Sequence, residues 1–336
     1  MKKTLVILAL LLVFLMTAIC DPIFRDNLAF YYNERNNGYT VYGVDSTAIS
    51  ITIPSEINGI SIVAIGEDAF KDFTSLNKVI IPGSVTSISD SAFYGCKELT
   101  SISIPDGVSI IRRNTFSGCS SLRTVIIPNT VTSIENNAFY DCAKLSYIEI
   151  PESVTYIGKR AFQNCESLKS IIIPDKTTSV EEYTFAGCTK LEDVILSKNT
   201  ISIGECAFKN CKSLTSIEIP ENVKTIGEYA FAISTSTVIS SSINLYGSNS
   251  SSQQSTSSTG LTSITISGAI KQINKTAFAG CKNLAIKYGS TKEMWATVFV
   301  EIKKEKSTNQ YYWVPSTEKY DNTKYTVFCS DGIIRD

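Results

Sequence analysis

Ala92-Phe93-Tyr94-Gly95-Cys96-Lys97-Glu98-Leu99-Thr100-Ser101-Ile102-Ser103-Ile104-Pro105-Asp106-Gly107-Val108-Ser109-Ile110-Ile111 is the stretch whose reading decides the fold. A step of 23 residues from Phe93 lands on Phe116, and equal steps continue through Phe139, Phe162, Phe185, Phe208 and Phe231, with Phe70 one step back. Cysteine keeps the same step at Cys96, Cys119, Cys142, Cys165, Cys188 and Cys211. Leucine does so from Leu76 to Leu214, and proline closes most units at Pro82, Pro105, Pro128, Pro151, Pro174 and Pro220. A unit of this length cannot bury its own apolar face, so a fixed period in this range predicts a solenoid in which each coil covers the next.

Inside the unit, L-x-x-I-x-I alternates as a strand with one buried face should. Proline then ends pairing, V-T-x-I suits a second short extended piece, and A-F-x-x-C suits a single helical or 3₁₀ turn. The expected fold is a β-rich repeat solenoid with parallel sheets, Phe, Leu, Ile and Val columns inside, and a cap at each end. Regular units run over 49–231 and resume once over 261–286, with Leu261, Ile264, Ile266, Ile270, Ile273, Phe278, Cys281 and Leu284. The first unit has extra residues around Asn58-Gly59, after which Ile62 and Ile65 resume the slots of Val85 and Ile88.

Between these blocks, the text over 232–260 is dominated by Ser, Thr, Asn and Gln. Its excess over the regular spacing is close to one period, so it reads either as a loop outside the stack, retaining Ile239, Ile243 and Leu245 as one weak strand, or as a decayed repeat. Residues 21–48 lack the unit and read as a hairpin around Asn36-Asn37-Gly38 that caps the first coil. Residues 287–336, with Tyr311, Tyr312, Trp313, Tyr325, Val327 and Phe328 in strand-forming runs, read as the closing cap.

The 336 residues carry a formal net charge of −1 and no histidine. A chain without concentrated basic charge is a poor partner for nucleic acid, and the absence of histidine excludes an imidazole base or metal ligand. Neither a nucleophile elbow nor a phosphate-cradling loop is present, and Glu181-Glu182 is a solvated acidic pair; the expectation is no enzyme, no cofactor and no metal. Lys2 and Lys3, the apolar run Leu5–Leu15 and the small residues Thr17 and Ala18 form a secretory signal over 1–20. Cys20 is either lipidated or lost by ordinary cleavage, so membrane contact is expected only through a lipid there, and the location is secreted or cell surface.

Export raises the question of disulfides. Equivalent cysteines in stacked coils lie about 4.8 Å apart with parallel Cβ directions, whereas a bridge needs Cβ atoms about 3.5–4.5 Å apart and converging. Phe73 and Ser234 also stand in the cysteine slot. The regular cysteines and Cys281 are therefore expected to be small buried hydrophobes.

The unit A-F-x-x-C-x-x-L-x-x-I-x-I-P-x-x-V resembles the BspA-like class of leucine-rich repeats over about 49–286, and the segments Gly289–Trp295 and Tyr325–Gly332 are similar to the ending that often follows such repeats. The resemblance implies a right-handed, curved leucine-rich-repeat superhelix on an exported protein, in several cases an adhesin toward host or other cell-surface proteins. This sequence departs from the commoner leucine-rich unit in carrying proline where a regular asparagine follows the strand.

The informative surface is the outward side of the strands. Between the two Ile slots the outward residues are Ile80, Ser103, Ile126, Glu149, Ile172, Ile195, Glu218 and Thr265; the column beside it includes Lys78, Tyr147, Asp193 and Ser216. One reading is that β-branched residues simply suit a strand. The other is a concave binding face made by Ile80, Ile126, Ile172 and Ile195 with Tyr147, Glu149, Asp193 and Glu218, whose acidic flank suits a basic or extended protein ligand. A passive structural or carbohydrate-contacting protein, using cap residues such as Trp295 and Trp313, is the alternative.

Overall fold

The computed structural model describes residues 22–234, 260–304, 311–315 and 325–335. Each regular unit makes one coil with three sides. On the first side, Lys78–Ile80, Ser101–Ser103, Thr124–Ile126, Ser170–Ile172, Asp193–Ile195, Ser216–Ile219 and Ser263–Ile266 are strands. They pair in parallel one unit apart, as Thr124 with Ser101 and Ser170 with Asp193. Alternation sends Ile102, Val125 and Ile171 inward and leaves Ser103, Ile126 and Ile172 outside.

The corner that follows is a turn in which the proline carbonyl accepts from the amide three residues on: Val108 N donates to Pro105 O at 3.0 Å and Val154 N to Pro151 O at 3.0 Å. Ser197 makes the same corner with Thr200 at 3.0 Å. Proline thus ends the strand, because it lacks a donor, but the turn itself does not require it. The second side is a column of two-residue strands, among them Ser133–Ile134, Tyr156–Ile157 and Ser179–Val180.

The third side, expected as a helical or 3₁₀ turn, divides its amides between two uses. Ala92, Tyr94 and Cys96 donate three residues back in 3₁₀ fashion, while Ser91, Phe93 and Gly95 donate to Arg113, Thr115 and Ser117 of the next coil at 2.8–2.9 Å. Left-handed residues two positions before and two after the phenylalanines from Phe70 to Phe208 enforce this alternation: Ser91 and Gly95, Asn114 and Gly118, Asn137 and Asp141 all have φ between 55° and 75°. No helix survives two such residues per coil, and every coil gains a third ladder instead. Gly, Asn and Asp fill most of these slots because they tolerate the conformation. Arg160, Tyr183, Cys206 and Tyr229 adopt it without that tolerance.

Inside, the rings from Phe70 to Phe231 stack with centroids 5.2–5.6 Å apart and planes within 13° of parallel. Strand spacing sets this distance, since each ring is attached to a backbone about 4.8 Å from the next. The stack continues from Phe231 to Phe278 at 5.8 Å, and Ser216 pairs directly with Ser263. The coil that ends at Ser234 and the coil that begins at Gly260 are therefore direct neighbours in the stack. That excludes a decayed repeat as a rung of the solenoid; Ile239, Ile243 and Leu245 lie outside the described residues. Ser234, assigned by spacing to the buried cysteine slot, is exposed, and Ile233 is the last buried residue before the excursion.

At the N-terminal end the expected hairpin gains a third strand: Ile23–Arg25, Leu28–Asn33 and Gly38–Gly43 form an antiparallel meander whose last strand runs parallel to Ile60–Ile65. Asp26 and Asn27, both at positive φ, make the two-residue turn that the sequence reading missed, and Asn58-Gly59 makes another. A Cβ on Gly43 would lie 2.5 Å from the Phe73 ring, so glycine lets the cap close on the open end of the stack.

At the other end, Phe299–Lys304 continues the second side beyond Ile273 and Tyr325–Cys329 continues the strand side beyond Ile286; each is closed by an antiparallel strand, Tyr311–Pro315 and Gly332–Arg335. A short helix at Lys292–Val298 was not anticipated. Its start is marked by Thr291, whose hydroxyl accepts from Met294 N at 3.3 Å.

The cysteine slot has a further use. Each Sγ donates to the carbonyl of the phenylalanine one coil back: Cys96 to Phe70, Cys119 to Phe93, Cys142 to Phe116 and Cys165 to Phe139, at 3.1–3.3 Å. Cysteine is small enough for the slot and still satisfies a carbonyl facing the interior. Burial pushes the Cys96 and Cys188 thiols up to about 12 and Cys281 to about 11, so they stay protonated and unreactive at neutral pH.

Phe139→Ala should cost about 3–5 kcal/mol by guanidinium denaturation, because rings on both sides hold the cavity open. Iodoacetamide at pH 8 should label Cys329 of the native protein, which is partly exposed, and spare the eight buried thiols until the chain is unfolded; rapid native labelling of Cys142 would contradict this packing.

Candidate functional site

The strand side leaves its outward residues open to solvent. Ile126, Tyr147, Ile172 and Ile195 are 58–60% exposed and Ile80 is 47% exposed, while Glu149, Asp193 and Glu218 also face solvent. The registers show which of them meet. Ile172 stands directly beside Ile195, and Ser170 beside Asp193. Ile126 stands beside Ser103, and Glu218 beside Thr265.

The eight residues are therefore not one continuous apolar strip. Ser103 separates Ile80 from Ile126, and the coil of Glu149 separates Ile126 from Ile172. In that coil Tyr147–Glu149 is not a regular strand, although Ile148 and Ile150 remain buried at 3% and 7%. The tightest grouping is Ile172, Ile195 and Asp193, with Glu218 in the following coil.

Beside that grouping the face is hollowed. Asp193–Ile195 and Ser216–Ile219 belong to separate hydrogen-bonded sheets, and a cavity of about 550 Å³ opens there. Its walls include Asp193, Ile195 and Glu218, and Ser216, Ser263 and Thr265 contribute small side chains. The outward columns of the sequence contain Ser216 and Thr265 without a role assigned to them; their signal is the run of Ser and Thr adjoining Ile and Glu in the same columns. The hollow presents two carboxylates and one apolar wall, an arrangement suited to a basic side chain with an aliphatic stem.

The face also extends into the closing cap, where Lys287 pairs with Phe328 and Phe328 with Ile333, both of the latter exposed. Phe328 was read only as strand-forming. Trp295, in contrast, is 4% exposed, with its ring 5.0 Å from that of Tyr288; it packs the cap and presents no contact surface, because the helix carrying it lays one face against the last repeat. The side chain of Trp313 lies outside the described residues. Among the described residues no group of three or more His, Cys, Asp or Glu could hold a metal ion, and no helix is long and apolar enough to cross a membrane. The signal segment and Cys20 precede the described residues.

A profile described as the BspA type leucine rich repeat region matches residues 42–169 and 155–285, with six copies. The chain belongs to the BspA-type leucine-rich repeat family. Two solved structures agree with this family's solenoid. The leucine rich repeat protein TpLRR of T. pallidum is 28% identical, with a TM-score of 0.53, over 58% of this chain and 91% of that one. A leucine-rich repeat protein from Bacteroides ovatus is 26% identical, with a TM-score of 0.58, over 80% of this chain and 71% of that one. No curated protein matches the chain significantly. In this BspA-type chain the repeat places Ile171 and Ile172 on opposite sides of one strand, which separates folding from surface chemistry. Ile171→Asp should abolish cooperative unfolding by burying an unpaired carboxylate, whereas Ile172→Asp should shift stability by no more than about 0.5 kcal/mol, as circular dichroism melts of the two variants will show.

Proposed function

We propose that this protein is an exported cell-surface or secreted binding module, an adhesin in role, that holds an extended basic segment of a host or cell-surface protein on its strand face. The observation that carries the reading is the exposed pair Ile172 and Ile195 beside the hollow flanked by Asp193 and Glu218. Strand propensity accounts for β-branched residues at these positions, but it does not account for a cavity with two carboxylates beside them. The apolar pair supplies desolvated contact area and the acids select the sign of charge, the usual division between anchor and rim. Membership of a repeat family built from stacked binding surfaces supports the reading, as does the secretory form of residues 1–20. Nothing in the reading calls for catalysis, a cofactor or a metal. Attachment to a membrane, where it occurs, is assigned to a lipid on Cys20. The carbohydrate alternative based on cap tryptophans loses Trp295, which is buried.

The test is capture of extracellular matrix and cell-surface proteins on immobilised native protein, compared with an Ile172→Asp, Ile195→Asp variant. Attachment should fall at least tenfold in the variant while its melting temperature is retained. Asp193→Asn with Glu218→Gln should weaken capture and flatten its dependence on ionic strength. Equal capture by all forms would remove the strand face from consideration.

A further inference from the structure

The corner where the third side passes into the strand side carries a charge pattern that the net charge of −1 conceals. Its outward columns stand four, five and seven places after the phenylalanine, on either flank of the inward leucine. On six successive coils, from that of Phe93 to that of Phe208, these columns supply one cation each: Lys97, Arg123, Lys144, Lys169, Lys190 and Lys212. All six are exposed. Glu98, Glu166 and Glu192 stand in the same columns, yet among the described residues none of the six cations forms an ion pair. Lys144 Nζ donates to Ser121 Oγ at 3.3 Å.

Backbone bonds fix the spacing of these charges. Ser121 N donates to Lys97 O at 3.0 Å, Lys144 N to Ser120 O at 3.2 Å and Lys190 N to Glu166 O at 3.3 Å. On the other flank of the leucine, Arg123 N donates to Thr100 O at 2.9 Å and Lys169 N to Ser146 O at 3.3 Å. The cations therefore advance one coil at a time, by about 4.8 Å, along a line roughly 24 Å long. The corresponding positions after Phe231 lie outside the described residues.

The corner at the far edge of the strand side has the opposite bias, with Asp106, Glu152, Asp175 and Glu221. Asn129 and Lys198 interrupt it, and Lys198 pairs with Asp175. A second copy therefore cannot match the cation line coil for coil with that corner.

Like charges held at fixed spacing repel one another, and a linear polyanion neutralises them together while its condensed counterions are released. What the corner lacks selects among polyanions. No aromatic side chain stands in the three columns, so the bases of a nucleic acid find no stacking platform there. The amides of Ser121, Arg123, Lys144, Lys169 and Lys190 are already bonded to the neighbouring coil, so an acidic peptide finds no donors for its carbonyls. A sulfated polysaccharide needs neither feature: its hydroxyls stay in water, and its sulfate oxygens accept from the guanidinium and the ammonium groups.

We propose that this corner binds a sulfated polysaccharide along the line from Lys97 to Lys212, alongside and independently of the strand face assigned to protein.

The full chain is titrated by calorimetry with heparin tetrasaccharide and dodecasaccharide at about 50 and 200 mM salt. The dodecasaccharide should bind more than tenfold tighter than the tetrasaccharide, because it engages more of the line, and should weaken more than tenfold at the higher salt. Arg123→Gln with Lys169→Gln and Lys190→Gln should retain the melting temperature and lose more than tenfold in affinity. Lys176→Gln with Lys224→Gln and Lys271→Gln removes equal charge from other surfaces and should lose less than threefold. The proposal is overturned if the dodecasaccharide does not bind at the lower salt, if the two triple variants lose affinity equally, or if oligothymidylate or polyglutamate of equal charge binds more tightly than the dodecasaccharide.

Discussion

Hydrogen bonding between coils, at strand spacing and on all three sides, is the constraint from which the rest of this molecule follows. A coil can donate to the next only if both have the same length and the same corners, which is why the unit repeats at 23 residues and why the phenylalanine rings stack within 13° of parallel. The third side shows how far the requirement reaches. Two left-handed residues per coil break any helix there and turn alternate amides toward the neighbouring coil, so a segment with turn-like composition becomes a ladder. Cysteine fits the same scheme, with its Sγ bonded to the phenylalanine carbonyl of the adjoining coil.

A stack of this kind tolerates an interruption on one side where the other two sides keep their ladders, as beside Asp193–Ile195. The coils that flank the Ser-rich stretch pair directly with each other, Ser216 with Ser263 and Phe231 with Phe278. The two ends, which have no neighbour, are closed by antiparallel strands, and at the N-terminal end Gly43 allows the backbone to approach Phe73. Because the interior is satisfied by repetition alone, outward positions are free of the packing constraint. Isoleucine beside carboxylate on the strand side is a departure from uniformity that the fold does not demand.

The spacing of Phe, Cys, Leu and Pro determined the solenoid, the inward columns, the buried free cysteines and the need for caps, since a one-dimensional period maps directly onto a one-dimensional stack. It also determined which of Ile171 and Ile172 faces out, because side chains alternate along a strand. One left-handed column was legible as well, in the recurrence of Asp72, Gly95, Gly118, Asp141, Asn164, Gly187 and Asn210 two places after the phenylalanines from Phe70 to Phe208, whereas the column two places before them is masked where Arg160, Tyr183 and Cys206 hold the same conformation. Only the tertiary structure decided which outward residues become neighbours across coils: that Ile172 meets Ile195 while Glu149 parts Ile126 from both, that the sheet divides beside Asp193 where a hollow opens, and that Trp295 is buried. The physical reason is that a period specifies where a side chain starts, whereas a site depends on what the side chains of adjacent coils leave empty between them.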